Sequence, residues 1–133
     1  MIPMNVPSIL IIEDHKDFRE AMKNFILMKD QQVRVLEAAA GQEGIDVALR
    51  EHPKVVIIDV QLGTGMNGLE TAAVIKRNDP SCGIIILTMY AAQSMRDYCK
   101  GRDVEDIIDK SDLDVQLIPA ISRLLSSRLP KDN

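Results

Sequence analysis

The run Val55-Val56-Ile57-Ile58-Asp59 decides how this chain is read. Four apolar, mostly β-branched residues in succession are the pattern of a buried strand. The run then stops on a carboxylate. Three other runs share the design. Ser8-Ile9-Leu10-Ile11-Ile12 stops on the pair Glu13-Asp14, Gly83-Ile84-Ile85-Ile86-Leu87 stops on the hydroxyl of Thr88, and Val104-Glu105-Asp106-Ile107-Ile108-Asp109 stops on Lys110. If these are parallel strands, their polar ends project from one edge of one sheet. Three carboxylates, a hydroxyl and an ammonium then meet at one point, a set able to hold a divalent cation and a phosphoryl group.

Helical patterns fill the gaps between the runs. His15 to Met28 carries a stripe of Phe18, Ala21, Met22, Phe25 and Met28, with Asp14 or Asp17 as its expected cap. Gln32 to Ala39 reads as a further strand. Gly41 to Glu51 reads as a helix with Ile45, Ala48 and Leu49 inward, ended by Pro53. Gly63-Thr64-Gly65-Met66-Asn67-Gly68 is a loop by composition, and Leu69 to Asn78 a helix stopped by Pro80. Ala91 to Lys100 reads as a helix with Gly101 as its C-terminal cap. The last helix spans about Asp114 to Ser127, and Pro119 inside it predicts a late start or a bend near the first turn. Residues 129–133 are expected to fray. Five βα units argue for an α/β fold, a doubly wound parallel sheet with helices on both faces, and are too few for a closed βα barrel. In such open sheets ligands sit at the carboxyl ends of the strands, where the polar residues fall.

Composition narrows the function. A chain of 133 residues is expected to form a single domain with its core over about 7–128. At this size folding buries roughly two-thirds of the unfolded surface, enough for a real core. The net charge of −4 does not suit a domain that neutralises nucleic-acid phosphates by itself, and the chain has no Trp and few aromatics for stacking on bases. No run approaches the ~18 apolar residues of a membrane span. The first residues lack the charged and long apolar regions of a signal peptide, so a cytoplasmic location is expected. Cys82 and Cys99 share no metal or redox spacing and read as two reduced thiols.

Glu13-Asp14, Asp59, Thr88 and Lys110, in this order on four strand ends, closely resemble the receiver domains of two-component response regulators. The resemblance covers essentially the whole chain. Each element alone is weak. Glu13-Asp14 alone would more often cap a helix, Asp59 a turn, and Lys110 would be a solvated charge. Bland causes do not require all of them together. The resemblance implies the flavodoxin-like strand order 2-1-3-4-5, which the sequence itself does not give. It implies Mg²⁺ held by Asp14, by Glu13 through water, by Asp59 and by the backbone carbonyl of Gln61. It implies that Asp59 takes a phosphoryl group from a sensor histidine kinase or phosphotransfer protein. Lys110 and Thr88 would stabilise the phosphoryl oxygens. Such a domain is a signalling switch, not an enzyme with turnover beyond its own phosphorylation and dephosphorylation. It can form a homodimer on phosphorylation, and does not itself bind DNA or membrane.

Glu13-Asp14-His15 with Phe18-Arg19-Glu20, Leu87-Thr88-Met89-Tyr90 and Lys110-Ser111 look most like receivers that carry a LuxR-type helix-turn-helix output domain. Only 23 residues follow Lys110, so either a stand-alone receiver or the receiver part of a longer protein fits. The chain also departs from the common pattern. Gly63 stands where a Pro is usual after the acceptor, and the Gly expected eight residues after Asp59 comes nine on, at Gly68. Met89 replaces a small residue and should crowd the approach to Asp59. Ile107 replaces the rotating aromatic of the switch, which makes Thr88, Met89 and Tyr90 the remaining switch candidates. His15 is expected to be exposed in the first helical turn, and His52 to lie on a surface loop. Two alternatives stand beside the main reading. One is a degenerate receiver that binds partners without phosphorylation. The other is a small aspartyl-nucleophile phosphatase, although such enzymes typically carry a second Asp where this chain has Gln61.

Overall fold

The computed structural model describes residues 6–63, 65–89, 93–99 and 103–126. Five parallel strands form one sheet in the order β2-β1-β3-β4-β5. They are β1 (Ser8–Ile12), β2 (Arg34–Ala38), β3 (Val55–Asp59), β4 (Gly83–Thr88) and β5 (Asp106–Asp109). The helices between and after them are α1 (Lys16–Lys29), α2 (Gly41–Glu51), α3 (Gly68–Asn78), α4 (Gln93–Cys99) and α5 (Leu113–Ser126), the last preceded by a 3₁₀ turn over Lys110–Asp112.

Strand alternation divides the core in two. Leu10, Ile12, Val56, Ile58, Ile84, Ile86 and Ile107 meet Ile45 and Ala48 of α2, Ala72 and Ile75 of α3 and Cys99 of α4. Ile9, Ile11, Val55, Ile57, Ile85, Leu87 and Ile108 meet Met22 and Ile26 of α1 and Leu117, Ala120, Ile121 and Leu124 of α5. Covered on both faces, β1, β3 and β4 are buried along their whole length, which is why they read as unbroken apolar runs.

Several boundaries and faces differ from the sequence reading. β2 is shorter than expected, because it is an edge strand that pairs only with β1, with Arg34 exposed. The strand expected from Val104 begins at Asp106, where its pairing with Ile85 starts. On α1, Met22 and Ile26 are the buried residues, whereas Ala21 and Met28 face solvent. On α2, Ile45 and Ala48 are buried as expected, but Leu49, expected inward, is exposed, and Val47 is buried. Neither Asp14 nor Asp17 caps α1. His15 occupies the N-cap without a side-chain bond, and Asp17 lies in the first turn, where its charge complements the helix dipole. Pro119 neither delays α5 nor ends it. Pro119 and Val115, whose carbonyl the ring leaves without its helical partner, are both exposed, so water can take that bond. His52 is the exposed C-cap of α2 in the left-handed conformation, with φ 50°. Ala91, Ala92, Lys100, Gly101, Ser127 and residues 129–133 lie outside the described residues.

Candidate functional site

β1, β3, β4 and β5 all end at one edge of the sheet. Parallel register places Ile12 beside Ile58, Asp59 beside Leu87, and Thr88 beside Asp109. The next residues, Glu13-Asp14 and Lys110, therefore rise around Asp59. Together with His15, Phe18, Val60, Gln61, Gly63, Thr88 and Met89 they line a cavity of about 890 Å³. Thr88 and Asp59 are buried on its floor, whereas Asp14, Gln61 and Met89 are exposed at its rim.

Carboxylate oxygens of Glu13, Asp14 and Asp59 lie within 4.8 Å of one another. Lys110 Nζ donates to Asp59 Oδ2 at 2.6 Å and lies 3.7 Å from Glu13 Oε1. Asp59 Oδ1 accepts from the backbone N–H of Gln61 at 2.9 Å. Glu13 Oε2 accepts from the backbone N–H of His15 at 3.0 Å, but Glu13 Oε1 is buried with no hydrogen-bond partner. Such an orphaned acceptor is costly unless another group satisfies it. Burial pushes the Glu13 carboxyl up to about 7. The neighbouring Asp59 side chain and its charge add to the rise, while the His15 N–H and Lys110 oppose it.

This donor set fits a hard divalent cation. Its ligands are carboxylate oxygens, its charge is negative, and one buried acceptor has no hydrogen-bond partner, only the Lys110 ammonium 3.7 Å away. Glu13, Asp14 and Asp59 would hold such an ion. The loop beside them leaves room. Gly63 has φ +76°, and a Cβ added there would come 2.9 Å from Asp14 Oδ2. Gly68 brings α3 against β3, since a Cβ there would clash with the Asp59 carbonyl oxygen. Asn67 closes the loop with a reciprocal capping box to Glu70.

A family model for the response regulator receiver domain matches residues 9–122. The chain belongs to this family. The receiver is 32% identical over 103 residues to a cyclic di-GMP phosphodiesterase of Thermotoga maritima, covering 77% of this chain and 27% of that protein. It is 33% identical over 82 residues to the nitrate/nitrite response regulator protein NarL of Escherichia coli K12, covering 62% of this chain and 38% of NarL. It thus spans well under half the length of either relative. Among solved structures it is similar to a LuxR-family two-component response regulator from Aurantimonas sp. SI85-9A1, with a TM-score of 0.82, 24% sequence identity, and coverage of 92% of this chain and 86% of that one. The expected sheet order and the expected membership of the receiver family both hold.

Of the residues singled out in the sequence, Glu13, Asp14, Asp59, Gln61, Thr88, Met89 and Lys110 line this one cavity. Ile107 is buried in the core on the α2, α3 and α4 side. Tyr90 lies outside the described residues. Two neighbours of the site were not foreseen as part of it. Arg19 donates to the Glu13 carbonyl at 2.7 Å and to Glu37 Oε1 at 3.0 Å, tying the loop after β1 to β2. The Phe18 ring centroid lies 4.8 Å from Lys110 Nζ. The available signal was that Phe18 is one of two Phe residues and stands in the first turn after Glu13-Asp14.

Proposed function

We propose that this receiver accepts a phosphoryl group on Asp59 from a phosphohistidine of a partner kinase or phosphotransfer protein, with Mg²⁺ as its cofactor. The observation that carries this reading is one carboxylate held at the meeting point of two opposite influences. Asp59 sits 2.6 Å from the Lys110 ammonium and within the three-carboxylate cluster. In the reaction an Asp59 oxygen attacks phosphorus, the P–N bond of the donor breaks, and its electron pair returns to the imidazole. The product is an acyl phosphate on Asp59. Lys110 can follow the charge from the carboxylate to the phosphoryl oxygens, and the buried Thr88 hydroxyl is placed to donate to one of them. A bound Mg²⁺ would supply charge neutralisation at the carboxylates and phosphoryl oxygens. The chain's share of the catalysis is positioning and preorganised charge.

The consequence is a switch. Asp59 gains negative charge at the base of the loops that follow β3 and β4, and those loops then present a changed surface to a partner or to a second copy of the chain. We place residues 7–128 in this one unit, acting on no substrate beyond its own acyl phosphate.

Incubation with acetyl phosphate and Mg²⁺, followed by intact-mass measurement, tests the proposal. One phosphoryl group per chain is expected, absent without Mg²⁺ and absent in Asp59→Asn. Reductive trapping with borohydride should map the label to Asp59. A label on any other Asp would overturn the assignment. A wild-type chain that takes no label under these conditions would instead favour a receiver that binds partners without phosphorylation.

A further inference from the structure

We propose that Phe18 is a positioning residue for Lys110, holding its ammonium over the acceptor carboxylate through the face of its ring. The inference rests on the phosphoryl-acceptor reading of Asp59.

The geometry is specific. Lys110 is the first residue of the 3₁₀ turn after β5, and its stem must reach back across the strand ends to Asp59. Phe18 projects from the first turn of α1, on the other side of Glu13-Asp14. The ring centroid lies 4.8 Å from Nζ, inside the range where an ammonium is drawn to an aromatic face. Phe18 also lines both the acceptor cavity and the neighbouring groove formed by Met22, Phe25, Ser111 and Leu113, so it forms the wall between them. Lys110 is the residue on that wall whose charge is needed at Asp59.

A lysine side chain has four rotatable bonds and loses substantial entropy when it is fixed. In the resting site the Asp59 carboxylate fixes it. During transfer the negative charge moves outward onto the phosphoryl oxygens, and the ammonium must stay in the pocket while its partner changes. The Phe18 face attracts the ammonium in both states, because the ring's charge distribution does not depend on phosphorylation. It therefore keeps Lys110 from swinging to solvent along the groove between α1 and α5.

This role predicts an order of variants that simple packing does not. If the ring acts by its π face, Trp and Tyr substitute for Phe and Leu does not. If Phe18 only fills space, Leu is tolerated at this half-buried position and the larger Trp is harmful. The test is the initial rate of phosphorylation by acetyl phosphate at fixed Mg²⁺ in wild type, F18L, F18Y and F18W. Far-UV melts would establish that each chain is folded, and the Mg²⁺-induced rise in melting temperature would serve as a control on the carboxylates. F18L should be slower by about three- to tenfold, the range expected for losing a partly desolvated cation–π contact. F18Y and F18W should stay within about twofold of wild type. F18L phosphorylated at the wild-type rate, or Trp and Tyr variants as slow as F18L, would overturn the proposal while leaving Asp59 as the acceptor. A wild-type chain that takes no phosphoryl group would overturn both readings together.

Discussion

Replacing Glu13 with Gln tests whether the site is electrostatically unfinished without a cation. Glu13 is almost fully buried, and its carboxyl is pushed up to about 7 from an ordinary value of 4.5. Folding therefore favours the protonated form. Stability from this group is fully present below about pH 4.5 and is lost as pH rises through about 7. At 1.36 kcal/mol per pH unit the displacement corresponds to roughly 3 kcal/mol, and water in the open cavity trims this to on the order of 2 kcal/mol. Other carboxylates change stability in the opposite sense. Although partial burial alone would raise it, Glu37 is held below its ordinary value by Arg19 and Lys23, so it adds stability at neutral pH that is lost in acid. The informative quantity is therefore the difference between wild type and E13Q. In metal-free buffer the wild type should lose about 2 kcal/mol relative to E13Q between pH 4.5 and pH 8, or roughly 6–10 °C in melting temperature for a domain of this size. Urea denaturation at closely spaced pH values in EDTA measures it. A difference that is flat across this range would refute the account of Glu13.

Three further outcomes are expected. At pH 8, Mg²⁺ at about a hundred times its dissociation constant should stabilise the wild type by roughly 2.7 kcal/mol, and Asp14→Ala should remove most of that gain; equal gains in thermal melts of the two proteins would exclude Asp14 as a ligand. Gly68→Ala should cost about 1–3 kcal/mol, because its Cβ would meet the backbone of Asp59 and Val60, which cannot turn aside as a side chain can; a wild-type melt would contradict this. Cys82, buried and pushed up to about 12 chiefly by that burial, should resist iodoacetamide at pH 8 until the domain is unfolded, and rapid labelling of the native chain would show that the β4 entrance opens readily.

How legible each part was depends on how local its cause is. β1, β3 and β4 were readable because burial on both faces leaves no polar residue within their runs. The strand-end carboxylates, Thr88 and Lys110 were readable for the same reason, since a polar group that closes such a run must lie at the sheet edge. The inner face of α1 was not fixed by pattern alone. Phe25-Ile26-Leu27-Met28 offers four apolar candidates in a row, and the way the helix lies on the sheet selects Ile26 and leaves Met28 in solvent. The choice of Val47 over Leu49 on α2 has the same origin. Phe18 over Lys110 and Arg19 on the Glu13 carbonyl join residues from different elements, so no sequence window contains their cause. Met89 was read as crowding the acceptor. It lines the cavity that holds Asp59 and is 74% exposed there.

Charge in the pocket links the parts of this site. With every group ionised, Glu13, Asp14 and Asp59 outweigh the single ammonium of Lys110, and a phosphoryl donor is itself an anion. Lys110 is already engaged at 2.6 Å by Asp59, so it has little charge left to offer an approaching donor. On the proposed function, the same carboxylates that could hold a cation would keep an anionic donor out until one is bound. In the proposed reaction, phosphorylation would then add charge where a carboxylate stood, which would raise the demand on Lys110 instead of releasing it. A residue asked to serve two anions in turn from a flexible stem gains from a third contact that does not titrate or move with the reaction. Among the described residues the Phe18 ring lies against the ammonium, at the wall of the same cavity, and could give that contact. On this account the acidic pair, the lysine and the aromatic wall are one electrostatic device, in which the carboxylates set the need for a cation and Phe18 keeps the lysine available after the carboxylate has been spent.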